Sequence, residues 1–173
     1  MTQNPMSSSS FTALTGWLLL TFCCAALGAA GSIQAAGFYA QLQRPDWAPP
    51  AALFGPVWSL LYLTMGVAAW RALEPRARVR TSAVTAYLMQ LGFNTLWSWL
   101  FFAWHLGALA CVCIAVLWLL IVATIVLLGR RDRLAAWLLA PYLAWVSFAA
   151  ALCFRIWQLN PGLLASAFPP LKD

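Results

Sequence analysis

Five long apolar runs, separated by short polar stretches, constrain this sequence more than any other feature. A helix needs about 20 apolar residues to cross roughly 30 Å of hydrocarbon. Backbone groups in lipid must be satisfied within the segment, and the runs show no strict polar–apolar alternation, so they favour helices over barrel strands. The sequence therefore predicts an all-α, integral membrane, five-transmembrane-helix bundle, with helices at 11–33, 56–73, 82–104, 107–128 and 134–159.

The composition requires lipid as the solvent for most of the surface. The chain is 64% hydrophobic and 8% charged, whereas a soluble domain has about 45–50% apolar and about 25% charged residues. Its 173 residues fit one membrane domain, 1–173. The first run is expected to be a retained helix and not a secretory signal, because Met1 to Ser10 contain no Lys or Arg.

The basic residues carry information about topology. Seven of the ten cations lie in two tracts between apolar runs, namely Arg71, Arg76, Arg78 and Arg80, then Arg130, Arg131 and Arg133. This clustering argues against a nucleic-acid partner. With five spans, both tracts share the side of the N-terminus, so the positive-inside rule predicts that this side is cytoplasmic. The 34–55 segment and the C-terminus, with Arg44 and Lys172, are then expected outside.

Conventional catalysis has little support in the sequence. The four acids Asp46, Glu74, Asp132 and Asp173 lie between or beyond the apolar runs, and His105 is the single histidine. No triad, phosphate-binding loop or metal spacing is recognisable, so we expect no metal, no obligatory cofactor and no hydrolytic enzyme. The five cysteines form no CxxC pair and are interpreted as small hydrophobes without a disulfide.

An aromatic, proline-rich loop precedes a helix with an aromatic face. The loop covers 34–55, and in the helix Trp58, Tyr62, Gly66 and Trp70 recur at every fourth residue, which places them on one face. The glycine favours close approach by a neighbouring helix or by a flat ligand. The combination indicates a lid over a large, flat, hydrophobic guest, although helix packing explains such a stripe equally well.

Two further helices carry small or polar residues at the same spacing. In the third predicted helix these are Gln90, Asn94 and Ser98, and in the fifth Trp145 and Ala149 would leave a slot beside the indole. Amides in hydrocarbon need partners, so Gln90 and Asn94 are expected to face the bundle interior or a cavity. Interhelical hydrogen bonds and contacts to a ligand remain equal alternatives.

Four motif blocks follow one another along the chain. They are Tyr39-x-x-Leu42-x-x-Pro45-x-Trp47-x-Pro49-Pro50, Gly55-Pro-Val-Trp58-x-x-x-Tyr62-x-x-x-Gly66, Gln90-x-x-x-Asn94-x-x-Trp97 and Pro141-Tyr-Leu-Ala-Trp145. Together they resemble the TspO/MBR family of tryptophan-rich sensory proteins, which includes the mitochondrial translocator protein or peripheral benzodiazepine receptor. The resemblance implies a multi-pass protein of a bacterial cell membrane, usually a homodimer. It also implies a pocket that binds porphyrins such as protoporphyrin IX and, in some members, sterols and benzodiazepine-site ligands.

The resemblance also assigns site residues. The expected ligand-binding residues are Trp58, Tyr62, Asn94, Phe101, Phe102, Trp145 and Ala149, with Tyr39 and Pro49 from the lid. Some bacterial members are reported to degrade protoporphyrin in light, and Trp58 and Trp145 would be the candidates for that chemistry. Sterol binding is doubtful, because Phe154 replaces the tyrosine of the family's cholesterol pattern and Gln158 replaces its basic residue.

Three functional classes follow from these observations. The first is a membrane receptor or carrier for tetrapyrroles, with a sensory, regulatory or transport role. The second is an enzyme that breaks down porphyrins with light or oxygen through its pocket tryptophans. The third is a non-catalytic membrane regulator that acts through a protein partner.

Overall fold

The fold is a bundle of helices, described here by a computed structural model that places residues 8–73 and 81–164. The elements in chain order are α1 (Ser8–Ala30), α2 (Ala35–Gln41), a 3-10 turn (Ala51–Leu53), α3 (Phe54–Leu73), α4 (Thr81–Ser98), a π-helical turn (Trp99–Ala103), α5 (Gly107–Gly129) and α6 (Arg133–Leu159). Within the two described ranges there is no strand, which confirms the all-α prediction.

Four of the described helices are long and apolar enough to cross a membrane. They are α1, α3 with the 3-10 turn before it, α5 and α6. Helix α4 does not belong to this set, and polar residues such as Gln90 and Asn94 explain its lower hydropathy. It covers most of the third predicted span, 82–104, and the π-helical turn continues it. The count of five spans therefore stays a prediction.

The bundle is apolar on its outside as well as in its core. Met65, Ala68 and Leu117 are completely buried between the helices. On the outside, Leu119 and Val112 of α5 are each more than half exposed. Helix α5 packs against α4 and α6, and α1 packs against α3 and α4. Large exposed apolar side chains on long helices fit a bundle that lipid solvates.

The aromatic face of α3 is divided between two environments. A Cβ atom on Gly66 would lie 2.7 Å from Leu18 Cδ2, so the glycine lets α1 approach α3 closely. The indole N–H of Trp70 donates to the Ser10 carbonyl oxygen at 3.1 Å and ties the same two helices. Gly66 and Trp70, which form half of the predicted stripe, therefore serve helix packing. Trp58 and Tyr62 lie in the second environment.

The predicted loop 34–55 is partly helical, which corrects its description as a loop. Phe38 and Tyr39 of α2 are buried, so tertiary packing stabilises a helix that is too short to form alone. Phe38 also stacks on His105, with ring centroids 4.0 Å apart. His105 has a φ of 54°, a backbone conformation that histidine adopts more readily than most residues, and it closes the turn after Ala103.

An ion pair joins α3 to the start of α6. Arg71 Nη2 lies 2.8 Å from Asp132 Oδ2. The same carboxylate caps α6, because Asp132 Oδ1 accepts hydrogen bonds from the backbone N–H groups of Leu134 at 2.8 Å and Ala135 at 3.3 Å. The other predicted cations of this tract, Arg76, Arg78 and Arg80, lie outside the described residues, as does Lys172.

This ion pair predicts an acid-dependent loss of stability. Burial raises the pKa of Asp132, but the two backbone hydrogen bonds and Arg71 outweigh it, so the pKa lies below its ordinary value. The carboxylate therefore adds stability above a pH of about 3.9, and this contribution disappears as the pH falls below that value. We expect Asp132→Asn, which keeps a capping side chain, to lose about 0.2–1 kcal/mol at neutral pH.

Thermal unfolding of both proteins across the pH range measures this effect. The difference between wild type and Asp132→Asn should vanish in acid, where the wild-type carboxyl is protonated. A constant difference at every pH would contradict the assignment of the ion pair.

Candidate ligand-binding cavity

A cavity of about 570 Å³ lies between α1, α2, α3 and α4. Helix α1 contributes small side chains to its wall, including Ala25, Ala26 and Ala29. Ring side chains from α3, including Trp58, form part of the remaining wall, and α2 also contributes to it. Ligand pockets are commonly about 300–1,000 Å³ and mostly apolar, so both size and lining suit a large hydrophobic molecule.

Five of the nine predicted site residues line this cavity. They are Tyr39, Trp58, Tyr62, Asn94 and Phe102. The other four predicted residues, Pro49, Phe101, Trp145 and Ala149, are not part of its lining. The structure thus brings together side chains from three separate helices and from the π-helical turn. Sequence spacing alone assigns these side chains to separate helix faces.

Phe101 lies behind the cavity wall. It stacks on Trp97 with centroids 5.8 Å apart and an angle of 18° between the rings, and it contacts Phe102 edge-on at 5.0 Å. Trp97 and Phe102 themselves face the cavity. The role of Phe101 is therefore to support two lining rings. Trp97 was not predicted as a site residue, although its position three residues after Asn94 places it on nearly the same helix face.

Trp145 is separated from the cavity by one aromatic ring. Phe54 lines the cavity and meets Trp145 edge-on, with centroids 6.0 Å apart. The indole Nε1 of Trp145 is buried and makes no hydrogen bond within the described ranges. Ala149, one turn further along α6, is also buried. The two tryptophans that would be candidates for porphyrin breakdown, Trp58 and Trp145, do not line the same cavity.

Asn94 links three helices at the edge of the cavity. The Tyr62 hydroxyl donates to Asn94 Oδ1 at 2.9 Å, and Asn94 Nδ2 donates to the Tyr142 hydroxyl at 2.8 Å. Asn94 is 1% exposed, so these bonds satisfy an amide that would otherwise be costly in an apolar core. Asn94 therefore makes the interhelical hydrogen bonds that were one alternative from the sequence, and it also lines the cavity. Its contact with a ligand, the other alternative, stays a prediction. Gln90, one turn earlier, is buried with no partner for its amide among the described residues.

Two hydroxyl groups of the cavity wall already donate to backbone carbonyl oxygens. The Ser59 hydroxyl donates to the Gly55 carbonyl oxygen at 2.9 Å, and the Ser32 hydroxyl donates to the Gly28 carbonyl oxygen at 3.1 Å. No charged side chain from the described residues lines the cavity. A buried ionised group on a ligand would thus find no counter-charge inside.

A cation of the lid lies over the ring of one lining residue. The guanidinium carbon of Arg44 is 4.8 Å from the centroid of the Tyr39 ring. Tyr39 is also one of the residues that line the cavity. Burial raises the pKa of the Tyr39 hydroxyl, and Arg44 opposes this only in part. The hydroxyl is therefore neutral at physiological pH and donates to the Pro49 carbonyl oxygen at 3.0 Å. Pro49 thus shapes the lid through its backbone.

Asn160 fastens the lid to the end of α6. Its Nδ2 donates to the carbonyl oxygens of Gln43 and Ile156, each at 2.8 Å. The Gln43 N–H donates in return to Asn160 Oδ1 at 2.8 Å. Gln43 directly precedes Arg44, so this clamp helps to hold the Arg44 backbone in place.

We expect Asn160→Ala to release the lid. Loss of the bond to the Gln43 N–H, worth about 1 kcal/mol, should speed hydrogen exchange of that amide about fivefold. Asn160→Asp keeps the acceptor and serves as the matched control, with a smaller increase. Exchange at Gln43 that is unchanged in Asn160→Ala would show that the clamp does not hold the lid.

One protein-family model matches the part of the chain that contains the whole cavity. The family model described as TspO/MBR family matches residues 17–158, which run from within α1 to the penultimate residue of α6. The chain belongs to the TspO/MBR family. With four helices suited to a bilayer among the described residues, it is an integral membrane protein of that family.

Individual TspO/MBR relatives match over most of their length. Protein CrtK of Rhodobacter capsulatus is 37% identical, over 86% of this chain and 95% of its own. The tryptophan-rich sensory protein of Cereibacter sphaeroides is 35% identical, over 83% of this chain and 91% of its own. The human translocator protein is 35% identical, over 72% of this chain and 76% of its own.

Proposed function

We propose that this protein binds tetrapyrroles such as protoporphyrin IX in the cavity between α1, α2, α3 and α4, as a membrane receptor or carrier with a sensory or transport role. The observation that carries this proposal is an apolar cavity of about 570 Å³ with the Trp58 indole in its wall. An aromatic macrocycle in contact with an indole gains about 0.5–1.5 kcal/mol beyond the burial of its area.

The charge distribution suggests how such a ligand would be oriented. Protoporphyrin carries two carboxylates and a broad apolar ring system. Carboxylates are costly to bury without partners, and the described lining offers no cation. Arg44 lies over the ring of Tyr39, which is itself part of the cavity lining. We therefore expect the carboxylates to point towards Arg44 and the apolar edge of the macrocycle to enter between Trp58 and the small residues of α1.

The number of membrane spans and their orientation are part of the same proposal. We propose five spans, with α4 and its π-helical turn as the third. Arg71 and Asp132 meet at one end of the bundle, and Arg130, Arg131 and Arg133 lie next to that contact in the chain. By the positive-inside rule this end is cytoplasmic, as is the N-terminus, and the lid with Arg44 faces the opposite side of a bacterial cell membrane. A homodimer is proposed from the family resemblance alone.

Titration of the purified protein with protoporphyrin IX tests the function. Tryptophan fluorescence should fall to a plateau at one porphyrin per chain, at micromolar concentrations. Micelles that contain a tryptophan-bearing membrane protein of another fold are the control for partition into detergent. Quenching that never saturates, or that matches this control, would contradict tetrapyrrole binding.

A further inference from the structure

Two cysteine thiols that are distant in the sequence meet between α5 and α6. The sulfur atoms of Cys111 and Cys153 are 3.6 Å apart, although 42 positions separate them in the chain. All five cysteines lie in the described ranges and are free, and Cys113 contacts the Phe93 carbonyl oxygen instead. The sequence predicts cysteines that act only as small hydrophobes. It contains no motif for this pair, because two antiparallel helices can bring together cysteines that are far apart in the chain.

Contacts on both sides of this pair hold the two helices together. One turn before Cys111, Gly107 lies against the Trp157 indole, which would collide with any larger residue there. In the other direction, the Trp118 Nε1–H donates to Ser147 Oγ at 2.8 Å. The pair therefore lies inside a closely packed antiparallel contact between α5 and α6.

The geometry requires only a small movement for a covalent bond. A disulfide has a sulfur–sulfur distance of about 2.05 Å, so the two atoms have to approach by about 1.5 Å. Cys111 is half-buried, whereas Cys153 is 2% exposed. A reagent would therefore reach Cys111 first, and Cys153 is placed to react second.

We propose that Cys111 and Cys153 form an oxidisable dithiol, which small apolar disulfides convert into an intrachain disulfide that ties α5 to α6. Cys111 attacks one sulfur of the reagent, forms a mixed disulfide and releases one equivalent of reagent thiol. Cys153 then attacks the Cys111 sulfur, forms the intrachain bond and releases a second equivalent. The two cysteines lose two electrons and two protons, and the reagent disulfide gains them as two thiols.

The expected consequence is a more stable α5–α6 hairpin. A cross-link between the two helices restricts the unfolded chain between positions 111 and 153. The oxidised protein should therefore unfold at a higher temperature than the reduced protein, and a reductant should reverse the shift. This inference does not depend on tetrapyrrole binding.

Treatment with 4,4′-dithiodipyridine in detergent tests the proposal. In a variant with Cys23, Cys24 and Cys113 changed to alanine, we expect two pyridinethiones released per chain and a mass lower by two hydrogens, with no pyridine adduct. Adding Cys153→Ser should give one pyridinethione and one retained adduct. In treated wild-type protein, peptide mapping should find the Cys111–Cys153 cross-link, whether or not the variants fold. Separate adducts on both cysteines, or no reaction at Cys111 in the folded protein, would overturn the proposal.

Discussion

Replacing Asn94 by leucine is expected to lower the free energy of unfolding by about 1–3 kcal/mol. The variant removes the acceptor for the Tyr62 hydroxyl and the donor to the Tyr142 hydroxyl. Tyr142 is completely buried, so its hydroxyl cannot turn to water, and Tyr62 is only 7% exposed. Reversible unfolding in mixed micelles, followed by circular dichroism, measures the loss.

The neighbouring residue supplies a matched control. Thr95 Oγ1 donates a single hydrogen bond to the Cys24 carbonyl oxygen at 3.1 Å. We expect Thr95→Val to cost about 0.6 kcal/mol, the average for one such bond in a membrane helix bundle. Combining Asn94→Leu with Tyr62→Phe and Tyr142→Phe should recover part of the lost stability, because no buried hydroxyl is then left unpaired. An effect of Asn94→Leu no larger than that of Thr95→Val would argue against the three-helix network.

Replacing Trp58 by alanine is expected to weaken protoporphyrin IX binding by about 2 kcal/mol, or roughly 30-fold. The loss combines ring stacking with burial of the indole surface. Trp58 lines the cavity, and it also contacts Tyr62 and Tyr142 at 5.7 Å and 6.2 Å between ring centroids. Equilibrium titration followed by porphyrin absorbance measures the affinity without relying on tryptophan fluorescence.

Trp145→Phe tests whether the effect is specific to the cavity wall. This tryptophan lies behind Phe54, so its replacement should leave the affinity within about threefold of wild type. Equal losses in Trp58→Ala and Trp145→Phe would indicate that the ligand lies against α6, as the family resemblance alone implies.

The helices could be predicted because lipid imposes one simple requirement on each span. Apolar length is visible in the sequence, and α5, at Gly107–Gly129, lies within one residue of its predicted range at either end. The π-helical turn after Ser98 and the short α2 were not predicted. Both depend on packing between distant parts of the chain, such as the contact of Phe38 with His105, which no local pattern contains.

Site residues could be predicted only where they share one face of a single helix. Spacing of four residues identified Trp58 with Tyr62, and it identified Asn94 as facing the interior. The same rule could not show that Gly66 and Trp70 pack on α1, or that Phe54 stands between Trp145 and the cavity. The contribution of α1 was missed because Ala25, Ala26 and Ala29 have no chemistry of their own and matter only for the space they leave.

Filling the cavity from α1 tests the central claim most directly. Ala29 and Ala30 are adjacent exposed residues of the same helix, but only Ala29 lines the cavity. Protoporphyrin IX affinity, measured by absorbance titration, should fall about tenfold or more in Ala29→Phe, because the ring occupies the space for the macrocycle. It should stay within about twofold of wild type in Ala30→Phe. Equal affinities in the two variants would contradict binding in this cavity.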